Sequence, residues 1–297
     1  MEKIRSTIVV TGVTGRQGGA VARHLLSAGF GVRGLTRDPR SPRAMALAET
    51  GVEVVKGNLD DRASLDRALA GVDGIFGVQD YWEHGAAAEV RQGKLLADAA
   101  KAAGVGHFVY ASVGGAEATT GVEHYDSKGE IERHITSIDL PATFLRPTFF
   151  MDLFRDPKYR PEFIWSTLVS LMSRDKPVQF IAVDDIGAVA RIVFERPTDF
   201  MGRAVELAGD EMTVPDAIET YRAVFGRKPR YICVPLQPLT LFSRHLSATK
   251  RWMNEVGWHA DIAALRAFHP GLRTLRQWFL EVAAVDDAPS RSRKKAA

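Results

Sequence analysis

The 297-residue chain contains a single cysteine, Cys233. One thiol excludes an internal disulfide and any cysteine-built metal cluster, and no metal site is expected. Cys233 itself is read as a small buried hydrophobe rather than a redox thiol. No apolar run approaches the roughly 20 residues that cross a bilayer. The stretch Met1-Glu2-Lys3-Ile4-Arg5 carries no apolar targeting segment, so the expectation is a cytoplasmic protein with no membrane partner. A net excess of positive charge is also lacking outside one place. Four basic residues, Arg291, Arg293, Lys294 and Lys295, lie in the last nine positions, and without them the net charge of +3 falls to −1. The near-neutral body argues against nucleic acid, and residues 286–297 read as a solvated, disordered basic tail.

What remains is ordinary globular composition, 45% hydrophobic and 25% charged, enough for one large or two modest domains. Its most informative stretch is Ile8-Val9-Val10-Thr11-Gly12-Val13-Thr14-Gly15-Arg16-Gln17-Gly18-Gly19. A β-branched run ends in a glycine loop that leads into the helical pattern Ala20-Val21-Ala22-Arg23-His24-Leu25-Leu26. In that context Gly12 allows the tight turn. Gly15 lets backbone N–H groups approach a pyrophosphate, and Gly18 lets the helix pack close to the strand. The spacing is G-x-x-G-x-x-G rather than G-x-G-x-x-G.

Strand and helix signals alternate from here to Pro147. Such alternation builds a parallel sheet with helices on both faces and right-handed crossovers, the doubly wound α/β (Rossmann) fold, with expected strand order 3-2-1-4-5-6. Residues 1–147 form the expected dinucleotide-binding domain. Residues 148–285 read as a smaller, mostly helical region.

Ligands of such sheets lie beyond the carboxyl ends of the strands. The second strand ends at Thr36-Arg37-Asp38-Pro39-Arg40, with Arg43 close behind. A guanidinium there pairs a 2′-phosphate and favours NADP(H); Asp38 is the residue that would instead suit NAD(H), unless it only starts a turn. Strand 3 ends at Asn58 and Leu59, which offer hydrogen bonds and an apolar face to an adenine; Asp60 is read as the cap of the following helix. Strand 4 ends at Gln79-Asp80-Tyr81-Trp82-Glu83. Strand 6 ends at Phe149-Phe150-Met151, either a wall for the nicotinamide or ordinary core.

Reductases on this fold use Tyr-x-x-x-Lys, in which lysine holds the ribose and lowers the tyrosine pKa. The six tyrosines, Tyr81, Tyr110, Tyr125, Tyr159, Tyr221 and Tyr231, are followed four residues later by Gly85, Gly114, Gly129, Phe163, Phe225 and Pro235. None is lysine. Lys128 stands where the lysine belongs, and His124 occupies the tyrosine position. His124 and Lys128 are the catalytic candidates, with the alternative that Lys128 binds ribose and His124 is structural.

The chain resembles the NmrA-like family of atypical short-chain dehydrogenases/reductases. The resemblance rests on Thr11 to Gly18, Thr36 to Arg40, Tyr81-Trp82-Glu83, Gln92-Gly93-Lys94-Leu95-Leu96-Ala97-Asp98, His124 to Glu132, Leu145-Arg146-Pro147, Asp185-Ile186-Gly187 and Leu275-Arg276-Gln277-Trp278. It implies cofactor contacts at Gly12, Val13, Thr14, Gly15, Arg16, Gln17, Arg37, Asn58, Leu59, Gln79, Arg91, Lys128, Phe150 and Met151. It also implies an NADP-preferring protein, read first as a redox sensor acting on a regulatory protein partner, with a reductase of a small-molecule acceptor such as a quinone as the alternative. A homodimer is compatible with either. One departure is Gln79-Asp80, where relatives have Thr-Asn.

Overall fold

A computed structural model describes residues 6–156, 158–235 and 243–294. The chain forms two compact units: Met1–Pro147 with Ile186–Glu206, and Thr148–Asp185 with Leu207–Ala297.

The first unit is built from β1 (Thr7–Val10), α1 (Arg16–Ser27), β2 (Gly31–Thr36), α2 (Pro42–Glu49), β3 (Glu53–Lys56), α3 (Arg62–Leu69), β4 (Gly74–Gly77), α4 (Tyr81–Ala102), β5 (His107–Ala111), α5 (Glu123–Ser137) and β6 (Ala142–Pro147). The strands lie in the order 3-2-1-4-5-6, and the pairs from β3 through β6 are all parallel. The central strands are apolar on both faces: Val9, Val10, Ile75, Phe76, Phe108, Val109 and Tyr110 are all fully buried. That is what a parallel sheet covered by helices on both sides demands. Leu96 and Ala100 of α4 and Ile131 and Ile135 of α5 join the cluster under β4 and β5, and so fix these two helices side by side.

The structure adds a seventh strand. Numbering the later strands in chain order as β7 (Phe149–Phe150), β8 (Pro177–Ile181), β9 (Ala204–Leu207) and β10 (Asp210–Thr213), β9 lies beyond β6 in the main sheet, where the Phe144 N–H donates to the Arg203 carbonyl. β10, β8 and β7 make a second, three-stranded sheet.

The second unit contains α6 (Pro161–Leu171) and α9 (Val214–Phe225), which follows α7 (Val183–Glu195) and α8 (Pro197–Phe200) in the chain. Aromatic rings hold it together: Phe154 stacks on Trp165 with ring centroids 4.4 Å apart, and Tyr221 meets Phe279 edge to face at 5.4 Å. Cys233 is exposed, contrary to the buried position expected. It lies in an irregular stretch whose Ile232 and Val234 N–H groups donate to Ser166 and Ser170 of α6, so no sheet covers it. After α10 (Arg244–Arg251) and α11 (Ile262–Phe268), the last helix, α12, runs Leu275–Lys294 and includes most of the stretch expected as a tail; Lys295 lies outside the described residues. Among the described residues no helix is long and apolar enough to cross a membrane.

Candidate functional site

The carboxyl ends of β1, β2, β4 and β5 converge on the glycine turn. Thr11, buried just past β1, donates its hydroxyl to the Val78 carbonyl at 2.8 Å and accepts from the Val78 N–H at 2.7 Å, tying the ends of β1 and β4 together. Gly12 follows with φ +57°, a conformation that side chains resist. A Cβ on Gly18 would stand 2.3 Å from the Gly12 carbonyl oxygen, so α1 packs against the turn only because that atom is absent. Gly15 caps α1 without any side chain, and the first helical turn carries no acid. The helix therefore presents its first N–H groups and partial positive charge at the turn formed by Val13 and Thr14, ahead of Arg16 and Gln17. That is a cradle for an anion.

Arg37 stands at the end of β2. Its Nη2 lies 2.7 Å from a carboxylate oxygen of Glu83 in the first turn of α4, and both side chains are exposed. Asp38 spends its carboxylate on the next turn, accepting the Arg40 N–H at 3.0 Å. The guanidinium is thus the charge that β2 offers to a ligand.

Beyond β3, Asn58 turns its side-chain oxygen to the Asp60 N–H at 3.1 Å, and Leu59 packs partly buried against the core under β4 and β5. Asp60 does not cap α3, as expected; Asp61 does, accepting the Ser64 N–H at 3.3 Å. Asp60 instead receives Arg91 at 2.8 and 3.0 Å and Gln92 at 2.8 Å, both from α4. The Arg91 hydrogen bonds hold the Asp60 carboxyl below its usual pKa. Arg91 is therefore engaged with the loop that carries Asn58 and Leu59.

Gln79, just past β4, is buried, and both polar atoms of its amide have no hydrogen-bond partner among the described residues. A buried amide left so costs stability unless a ligand completes it.

Lys128 projects from α5 toward the end of β5. Its ammonium donates to Glu89 at 2.9 Å and to the Ala111 carbonyl at 3.3 Å, and lies 5.5 Å above the Tyr110 ring. The Glu89 side chain is 0% exposed and also accepts the Ser127 hydroxyl. Burial, then the nearby Glu89 and Glu132 carboxylates, drive the Tyr110 hydroxyl pKa well up, so Tyr110 is a neutral floor under the lysine. Sequence reading missed Glu89. Its signal was there: positions 89, 92, 93 and 96 form one helical stripe, and an acid on the stripe that buries Leu96 must itself be buried.

His124 sits in the first turn of α5 among aromatic rings, 5.5 Å from Tyr81 and from Trp82 and 4.5 Å from Tyr125. Phe150 and Met151 belong to the second unit, where Met151 is buried and Phe150 half-buried. The first unit thus brings together the glycine turn, Arg37, Asn58, Leu59, Gln79, Arg91 and Lys128 around its strand ends.

A doubly wound parallel sheet whose first strand opens onto an uncapped, glycine-lined helix start defines an α/β protein of the Rossmann class. The chain belongs to the NmrA-like family, whose model matches residues 4–269. It is 32% identical over 251 residues to the NmrA-like family domain-containing oxidoreductase notA′ of Aspergillus versicolor, covering 74% of this chain and 69% of that one. It is 35% identical over 227 residues to the (4-alkanoyl-5-oxo-2,5-dihydrofuran-3-yl)methyl phosphate reductase of Streptomyces griseus subsp. griseus, covering 75% and 76%. Among solved structures it resembles NmrA, a negative transcriptional regulator solved with NAD (TM-score 0.76) and with NADP (TM-score 0.74). Identity is 19% in both, over 97% of this chain and 98% of that one.

Proposed function

We propose that the chain binds NADP(H) and reduces a small-molecule acceptor. The observation that carries the reading is the uncapped, glycine-lined start of α1 with Arg37 at the neighbouring strand end. The two relatives above are an oxidoreductase and a reductase, which supports the same class. When bound, the nicotinamide supplies a hydride. The chain's own residues do the rest. The Gly12 to Gln17 turn and the first N–H groups of α1 bind the pyrophosphate. Arg37 binds the 2′-phosphate through parallel charge-assisted hydrogen bonds. Asn58 and Leu59, steadied by the Asp60–Arg91 pair, border the adenine. Gln79 offers one donor and one acceptor from a buried amide, and Lys128, held in place by Glu89, binds the nicotinamide ribose.

No tyrosine stands where a proton donor is usual, so the acceptor is one that needs little help. A quinone fits, because water supplies the proton that completes its reduction.

The missing Tyr-x-x-x-Lys pair also favours a second reading, a sensor that binds both redox forms and acts on a regulatory protein; the structural neighbour NmrA is a negative transcriptional regulator. It requires the two forms to bind two conformations with different free energy. NADPH consumption with a panel of quinones separates the readings. Acceptor-dependent turnover supports the reductase; tight NADPH binding with no turnover on any acceptor favours the sensor.

A further inference from the structure

Glu83 occupies a position that the binding reading leaves unexplained. A carboxylate 2.7 Å from Arg37 fills the place a phosphate would take, and His84 of the same turn lies 3.6 Å from it. The turn that carries Glu83 is separable from the rest of its helix. Asp80 caps it, accepting the Trp82 N–H at 2.9 Å. Gly85 then interrupts α4 with φ 77° and ψ 177°. A Cβ there would meet nothing within 4 Å, so glycine serves the bend and not a close approach. Residues 81–84 are thus one helical turn on a pivot. It is held by the Arg37–Glu83 pair, by the Tyr81 hydroxyl, which donates to Glu123 at 3.1 Å, and by the Tyr81 and Trp82 rings against His124.

Two anions compete for Arg37 unequally. A phosphate monoester carries about −1.5 to −2 charge near neutral pH and three strong acceptor oxygens. A carboxylate carries one charge, and this one is exposed to water, where ion pairs are weak. The phosphate takes the guanidinium, and Glu83 is then left beside a dianion that repels it. We infer that Glu83 is a specificity-determining residue: it competes with the 2′-phosphate monoester for Arg37, so that this phosphate alone releases the 81–84 turn about Gly85. Ligands without the 2′-phosphate leave the pair closed. The inference rests on the dinucleotide reading above and adds to it a residue that restrains NADP(H) affinity.

Trp82 provides a reporter. It is 65% exposed, whereas Trp165, Trp252, Trp258 and Trp278 are buried. The probes are NADPH and NADH by calorimetry, and adenosine 2′,5′-bisphosphate and 5′-AMP by tryptophan emission; the last two lack the nicotinamide that would quench it. Glu83→Gln is expected to tighten NADPH by about three- to tenfold, the scale of an exposed ion pair plus like-charge relief, and to move NADH by less than about twofold. The gain disappears in an Arg37→Ala background. In the unmodified chain the bisphosphate shifts the Trp82 emission, 5′-AMP does not, and the shift is absent in Trp82→Phe. Unchanged or weakened NADPH binding in Glu83→Gln, or an equal gain for NADH, overturns the inference alone. Binding of neither cofactor by the unmodified chain overturns the dinucleotide reading and this inference with it.

Discussion

Replacing Glu89 with glutamine is expected to destabilise the protein far more than an exposed charge change would. The substitution keeps the shape of the side chain and removes only its charge. Glu89 is 0% exposed and Lys128 14% exposed, so water replaces little of what is lost. Lys128 would keep neutral acceptors, the amide oxygen at position 89 and the Ala111 carbonyl at 3.3 Å, and the Tyr110 ring, but no counter-charge. Breaking a buried pair by removing one partner costs about 3–5 kcal/mol, because the other charge is left uncompensated. A urea titration of Glu89→Gln should therefore show an unchanged slope and a midpoint lowered by that free energy divided by the slope. The double variant Glu89→Gln/Lys128→Met should recover most of the loss, since a buried pair replaced on both sides is close to neutral. A single variant within about 0.5 kcal/mol of the unmodified chain, the range of ordinary surface changes, would refute the argument. Strict additivity of the two substitutions would refute it as well.

Two further outcomes follow from the first unit. His107 is buried; Thr143 donates its hydroxyl to the Phe200 carbonyl and so must accept from the His107 Nε2–H, which places the ring proton on Nε2. Burial lowers its pKa to about 4. The unfolded chain therefore takes up the proton first, and stability is constant above about pH 6.5 and declines between about pH 6.5 and 4 by roughly 3 kcal/mol, at 1.36 kcal/mol per unit. Denaturant titrations across that range check it, and His107→Gln should abolish the histidine share of the slope; an unchanged slope counts against the assignment. Replacing His124 with alanine should leave quinone reduction within about tenfold, whereas a general acid contributes about 10²–10⁴. A larger loss in steady-state assays would make His124 the proton donor.

The strand ends were legible because a short continuous apolar run gives way there to a helical period of 3.6, and those ends are where a doubly wound sheet binds. The parts that were not legible share a cause: they depend on partners distant in sequence. β10 reads Asp-Glu-Met-Thr and β7 is two residues long, so neither carries an apolar pattern, and both become strands only by pairing with β8. Gly85 looks like a helix boundary, yet Asp80 caps a separate turn ahead of it. Gly129 looks like another, yet α5 starts at Glu123 and runs through it. Asp60 and Asp61 are both good caps in sequence, and only Arg91, 31 residues away, decides between them. Glu89 was passed over because one acid after three alanines resembles a solvated face until Lys128 is set beside it.

The central claim is that Arg37 reads a 2′-phosphate beside the glycine turn. Calorimetric titration of NADPH and NADH into the unmodified chain and into Arg37→Glu tests it most directly. The account predicts tighter NADPH than NADH binding in the unmodified chain. In Arg37→Glu it predicts NADPH weakened by about 1.5–3 kcal/mol, the scale of a hydrogen bond to a charged group, and NADH much less affected. Equal loss for both cofactors, or no preference in the unmodified chain, would contradict it.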